Sequence, residues 1–296
     1  MKSVERWSKE AKMLVSGGRR LAYWTSEERN DDKPWLLLIH GYPTSSWDWT
    51  FLWSDLRAHF RLAAMDMLGF GLSEKPRDVE YSIAMQADFQ EALLAHLGAG
   101  AAHVFTHDYG NTVGQELLAR HNEGSLSFEI RSMAFLIGGL FPEQHRARPI
   151  QKLGLTPLGF LLGLMLTEEK LRQNFDEIYG PETKAPDAEI AAHWSMITAG
   201  GGKRVLHKLL SYIPQRRANR ERWLGALTAS RAPLRLINGG ADPVSGAHLY
   251  RYYKEQVPNA DAVLLETIGH YPHTEAPRQV LGAFLDFHRK LKTVAA

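Results

Sequence analysis

The chain has 296 residues, 44% of them hydrophobic and 23% charged, enough for one large domain or for a core carrying an insertion. Its formal charge of +2 gives no reason to expect nucleic acid or an anionic membrane as partner of the surface as a whole. The absence of cysteine excludes disulfides, thiolate metal sites and cysteine nucleophiles, and with a start (MKSVERWSKEAKMLVSGGRR) that lacks an apolar centre it points to the cytoplasm.

In chain order, short apolar runs predict strands at 14–16 (LVS), 21–24 (LAYW), 35–39 (WLLLI), 62–65 (LAAM) and 103–106 (HVFT). Three more follow at 133–138 (MAFLIG), 234–237 (LRLI) and 262–265 (AVLL). Ser16-Gly17-Gly18 between the first two predicts an antiparallel hairpin at the sheet edge. The other runs alternate with helix-length amphipathic segments, the pattern of an α/β protein with a mainly parallel sheet.

Between about residues 140 and 228 the rhythm becomes helical, with Pro and Gly punctuation and no convincing strand. The expected organisation is a core (1–139), a helical cap (140–228) and the rest of the core (229–296). Residues 157–166 (PLGFLLGLML) are too few for a bilayer span, which takes roughly 20. They predict a helix lining a buried pocket or packing on the core, the alternative being peripheral membrane contact through the cap. The run QRRANRER (215–222) reads as a solvated helix face, with an anion or lipid-headgroup site as alternative.

A strand (HVFT), a tight turn (HDYGN) and a helix (TVGQELLAR) surround Asp108. That context presents a nucleophile on a sharp elbow, although Thr106 is larger than the usual glycine two places before it. The competing reading is a buried Asp capping a helix N-terminus. WLLLI runs into His40-Gly41-Tyr42-Pro43, at the end of a strand where open sheets of this kind bind ligands. There the backbone N–H of Tyr42 pairs with that of Tyr109 as an oxyanion hole. LRLI is followed by Asn238-Gly239-Gly240-Ala241-Asp242-Pro243, and AVLL by Ile268-Gly269-His270-Tyr271-Pro272. The order nucleophile, acid, histidine makes Asp108, Asp242 and His270 the catalytic candidates. His270 is preferred to His273 because it directly follows the glycine of its loop.

HGYPTSSWDW, DMLGFGLSEKP, THDYGN, GGADPV and IGHYPHTEAP together resemble the epoxide hydrolase and haloalkane dehalogenase branch of the α/β-hydrolase superfamily. The likeness covers nearly the whole chain, and HDYG, GGLFPEQHR and YIPQRRANRERWLGAL resemble the mesoderm-specific transcript proteins within it. The resemblance implies an α/β-hydrolase fold with a helical cap. It implies a hydrolase that uses Asp108 to displace a leaving group from saturated carbon through an alkyl ester, then His270 to activate water. No metal or organic cofactor is needed, and the expected partner is a small hydrophobic substrate met by a monomer or homodimer.

In epoxide hydrolases cap tyrosines hold the leaving oxygen. Tyr212 stands where the later one belongs, Tyr179 is a substitute for the earlier one, and the expected first cap helix carries Phe160 instead. With His40, these are the candidate leaving-group or substrate contacts. A halide needs N–H donors, commonly a Trp after the nucleophile, where this chain has Tyr109. An epoxide hydrolase-like reaction is therefore expected, with haloalkane dehalogenase as first alternative and a non-catalytic ligand-binding or interaction protein as second.

Overall fold

The computed structural model describes residues 2–26 and 32–295. Eight strands form one sheet: β1 (Lys12–Ser16), β2 (Arg19–Thr25), β3 (Trp35–Ile39), β4 (Arg61–Met65), β5 (Ala101–His107), β6 (Glu129–Leu136), β7 (Leu234–Gly239) and β8 (Asp261–Leu265). Their order is β1-β2-β4-β3-β5-β6-β7-β8. β1 and β2 pair antiparallel at the edge, β2 joins β4 antiparallel, and the remaining neighbours are parallel. Every strand expected from an apolar run is present, and the Ser16-Gly17-Gly18 hairpin lies at the edge.

The apolar runs are continuous because the central strands are covered on both faces. All five residues of β3 are buried. Leu37 and Ile39 pack on one side with Tyr109 and Val113, while Leu36 and Leu38 pack on the other with Trp7, Trp49 and Phe105. Alternation along the strand thus feeds two cores, each buried leucine contributing about 1.5–3 kcal/mol. Parallel strands need crossovers, supplied for example by helix α1 (Ile83–His96) before β5 and α2 (Tyr109–Glu123) after it. α2 stops at Gly124, whose φ of 74° is the left-handed conformation glycine adopts freely.

β6 and β7 are sheet neighbours, yet the chain leaves at Leu136 and returns at Leu234. Among the described residues this excursion contains helices and no strand. Its helices include α3 (Pro149–Gly154), α4 (Leu161–Met165), α5 (Glu168–Ile178), α6 (Asp187–Thr198), α7 (Tyr212–Ala218) and α8 (Arg220–Thr228).

Both ends of the excursion are held by α2. Asn111 Nδ2 donates to the carbonyls of Ile137 (2.7 Å) and Gly138 (2.8 Å), and Gln115 Nε2 donates to that of Leu140 at 3.1 Å. On the return, Trp223 Nε1 donates to Glu116 at 2.8 Å, and Arg222 pairs with Glu116 at 2.9 Å. The helix that follows Asp108 is therefore polar along a buried face, and that face holds both ends of the helical segment. No described helix is long and apolar enough to cross a membrane.

Candidate active site

Asp108 ends β5 and opens α2 with φ 45° and ψ −105°, a conformation costly for any residue with a Cβ. Its side chain makes no capping bond to the first turn, so the helix-cap reading does not describe it. Instead Oδ2 accepts from the Tyr42 amide at 3.3 Å, and Oδ1 lies 3.9 Å from His270 Nε2. Two glycines permit this. A Cβ on Gly110 would lie 2.5 Å from the Ile39 carbonyl, and one on Gly41 would lie 2.6 Å from His107 Nδ1 and 3.0 Å from Asp108 Cβ. Thr106, the departure from the small residue expected there, donates its hydroxyl to Asn111 Oδ1 at 2.6 Å, orienting the amide that holds the start of the helical segment.

His270 Nδ1 bonds Asp242 Oδ2 at 2.8 Å. The Asp242 carboxylate also accepts from the amides of Val244 (3.0 Å) and Ser245 (2.8 Å) and from the Ser245 hydroxyl (2.8 Å). Burial alone would raise the pKa of Asp242, but His270 and these donors hold it below the ordinary carboxylate value. Burial opposes the charged form of His270 too, yet the carboxylates of Asp242 and Asp108 outweigh it and raise its pKa to about 9. Tyr109 supplies the first N–H of α2, which has no acceptor inside the helix, and the Tyr42 amide points at Asp108.

Asp108, Tyr42 and His270 share a pocket whose walls include Leu162, Leu166, Leu171, Phe175, Leu206 and Leu210. The other expected contacts divide. Tyr212 is wholly buried and does not itself line the pocket; its ring lies 5.1 Å from that of Tyr109 and 6.2 Å from that of Tyr42, which does. Its hydroxyl accepts from Gln151 Nε2 at 3.3 Å, which leaves its own hydrogen free to donate. Burial and the nearby Asp108 raise its pKa, keeping it protonated.

Tyr179, His40 and Phe160 do not line the pocket. The Tyr179 hydroxyl is committed to Glu189 at 2.6 Å and Thr274 at 2.9 Å. His40 is buried with both nitrogens used: Nε2 accepts from the Met67 amide at 3.0 Å and Nδ1 lies 2.9 Å from the Gly41 carbonyl, so it braces the loop. Phe160 is 53% exposed, because it is Leu162, in α4, and Leu166, just past its end, that face inward. His273 is buried outside the pocket, and Asp48, His107 and His273 place ligand atoms within 4.8 Å of one another, close enough to share a metal ion. His107 Nε2 donates to the His270 carbonyl at 2.9 Å, so this cluster steadies the His270 loop from behind.

Sequence reasoning missed His145 and Arg216. His145 lines the pocket with a buried Nε2 that has no partner among the described residues. Burial and the neighbouring Arg216 lower its pKa to about 4, so the ring is neutral. Arg216 is 2% exposed: Nε donates to the Thr112 hydroxyl at 2.6 Å, Nη2 to the Asp108 carbonyl at 3.3 Å, and the guanidinium covers the Tyr212 ring at 4.3 Å. The reading of 215–222 as a solvated face holds for the exposed Arg217, Ala218 and Glu221 and is corrected at Arg216. Arg220 and Arg222 pair with Glu143 and Glu116, and Gln215 bonds the Ile83 amide. The signal for Arg216 is its place four residues after Tyr212, on the same helix face.

The chain matches the alpha/beta hydrolase fold family over residues 34–277. It is 36% identical over 295 residues to the mesoderm-specific transcript homolog protein of Bos taurus, covering 96% of this chain and 88% of that protein. A haloalkane dehalogenase loop variant from Bradyrhizobium elkanii superposes with a TM-score of 0.76 at 20% identity, over 97% of this chain and 98% of the other. The epoxide hydrolase CorEH does so with 0.77 at 21% identity, over 95% and 99%. These two likenesses show the fold. A match across most of the length and a relative of such identity and coverage give the membership: the chain belongs to the alpha/beta hydrolase fold family.

Proposed function

We propose that the protein hydrolyses an apolar epoxide through a covalent ester on Asp108, with the helical segment as the cap that closes over the substrate. The observation that carries this reading is the placing of Asp108: strained, uncapped, bonded to the Tyr42 amide and aligned with His270 and Asp242.

An Asp108 oxygen attacks a ring carbon, the C–O bond breaks, and the freed oxygen takes the proton of Tyr212 while accepting a hydrogen bond from His145 Nε2–H. His145 is suited to this because a neutral imidazole donates without adding charge. Esterification then removes the Asp108 charge, one of the charges that raise the His270 pKa, so the ring can give its proton to solvent and take its basic form. His270, supported by Asp242, takes a proton from water, and the hydroxide adds to the ester carbonyl. The Tyr42 and Tyr109 amides hold the oxyanion, one such donor being worth about 3 kcal/mol. Collapse frees the diol and restores Asp108 with one oxygen from water, and the proton on His270 replaces the one Tyr212 gave.

His270→Gln is expected to stall at the ester, so incubation with styrene oxide adds the mass of one substrate to Asp108 in the intact protein. Turnover without that adduct, together with undiminished activity in Asp108→Ala, overturns the proposal. Release of chloride or bromide from short haloalkanes would assign the site to dehalogenation instead. The absence of an indole N–H after the nucleophile disfavours that outcome, since Tyr109 points its ring into Phe70 and Tyr212.

A further inference from the structure

Among the described residues seven large hydrophobic side chains are conspicuously exposed, and five of them fall within eleven residues: Leu155, Leu158, Phe160, Leu164 and Met165. Such concentration in one place marks a contact surface rather than the usual scatter. The patch is α4 and the turn before it. α4 turns Leu162, and the residue just past its end, Leu166, into the pocket that holds Asp108, while Leu164, 73% exposed, and Met165 turn outward.

A groove runs beside the patch, lined by Phe160 and Leu164 together with Arg77, Lys203, Arg204 and Lys208, and, among the described residues, by no Asp or Glu. Some of these cations are anchored: Lys208 donates to the Arg77 carbonyl, and Lys203 lies 5.2 Å from the Trp194 ring. Four cations along an apolar face match the boundary of an anionic bilayer, where acyl chains meet charged headgroups. They do not match a second copy of the chain, because a two-fold contact would set the four cations against themselves. The small net charge of the whole chain conceals this local concentration.

We propose that this face docks on an anionic lipid surface, inserting Leu158, Phe160, Leu164 and Met165 among the headgroups while Arg77, Lys203, Arg204 and Lys208 bind phosphates. Docking sets the outer face of α4 on the lipid and leaves its inner face as the pocket wall. An apolar substrate dissolved in the bilayer then reaches the pocket past a single turn of helix. The docking does not depend on which bond the site breaks.

The test is sedimentation of the full chain with vesicles of phosphatidylglycerol and phosphatidylcholine (1:1) and with vesicles of phosphatidylcholine alone. The mixed vesicles are expected to bind at least tenfold more tightly, and the difference is expected to disappear in high salt. Each cation near such a surface is worth about fivefold in binding, so Arg77→Glu with Arg204→Glu is expected to weaken it by about 30-fold or more. Leu164→Asp is expected to weaken it about tenfold. Both sets of residues are surface residues outside the pocket over Asp108, and unchanged circular dichroism checks that the fold is kept. Equal binding to both vesicles, no binding to either, or binding unaffected by these variants overturns the proposal. So does a concentration-dependent dimer that Leu164→Asp abolishes in the absence of vesicle binding.

Discussion

His270 and His145 face one pocket from two halves of the molecule, His270 from a loop after a strand and His145 from the start of the helical segment. Burial opposes the charged form of both rings. His270 has Asp242 at 2.8 Å and is raised to about 9, whereas His145 has Arg216 as neighbour and is lowered to about 4. The same side chain thus becomes a reservoir of basicity on the sheet side and a neutral donor on the helical side, according to the sign of its neighbour. On the sheet side both Asp242 oxygens are bonded and one of them holds His270, while on the helical side His145 Nε2 is open to a ligand.

The largest effect breaks the sheet side. Asp108→Ala is expected to lower turnover about 10⁴-fold or more and to abolish the covalent adduct, read by product assay and intact mass. Next comes Asp242→Asn, with a loss of about 10³-fold and a drop of the His270 pKa from about 9 toward its ordinary value near 6.5, read by NMR titration. The signs follow from linkage. A raised His270 stabilises the fold fully below about pH 6.5, and that contribution is lost as pH climbs through about 9. A depressed Asp242 contributes above about pH 3.9 and loses its contribution on acidification. Asp242→Asn removes both flanks from the stability profile. In the wild type, ester hydrolysis is expected to rise with pH to a midpoint below 9, because the esterified Asp108 no longer supports the imidazolium.

This asymmetry also decides what could be read in the sequence. Each strand is a short apolar run, and Asp108, Asp242 and His270 sit immediately after such runs, so local pattern locates them. Gly41 and Gly110 mark close approaches of backbone that no larger residue allows. On the helical side, function depends on which polar residue meets another element, and helical period does not encode that. Arg216 and Arg217 are adjacent in one charged run, yet one is buried under Asp108 and the other exposed. Phe160 and Leu162 lie in one apolar run and face opposite ways, because α4 spans only five residues and its phase is set by packing.

Tyr212→Phe and His145→Ala test the helical side, each expected to slow formation of the ester about 10- to 100-fold while sparing its hydrolysis. Single-turnover kinetics separates the two steps. If both donate to one oxygen, the double variant loses less than the product of the single losses. His145→Gln, which keeps an N–H, is expected to recover part of the rate.

The smallest expected effect sharpens the direction of α4. Leu166 is 5% exposed and lines the pocket, so Leu166→Ala removes apolar contact with the substrate and is expected to raise KM about tenfold with kcat little changed. Phe160 belongs to the same run but turns outward, and with a water-soluble epoxide and no lipid present Phe160→Ala is expected to leave kcat and KM within about twofold. A rise in KM for Phe160→Ala equal to that for Leu166→Ala would mean that substrate meets the face of α4 assigned here to lipid. The pair therefore distinguishes a wall that selects the substrate from a surface that brings the enzyme to it.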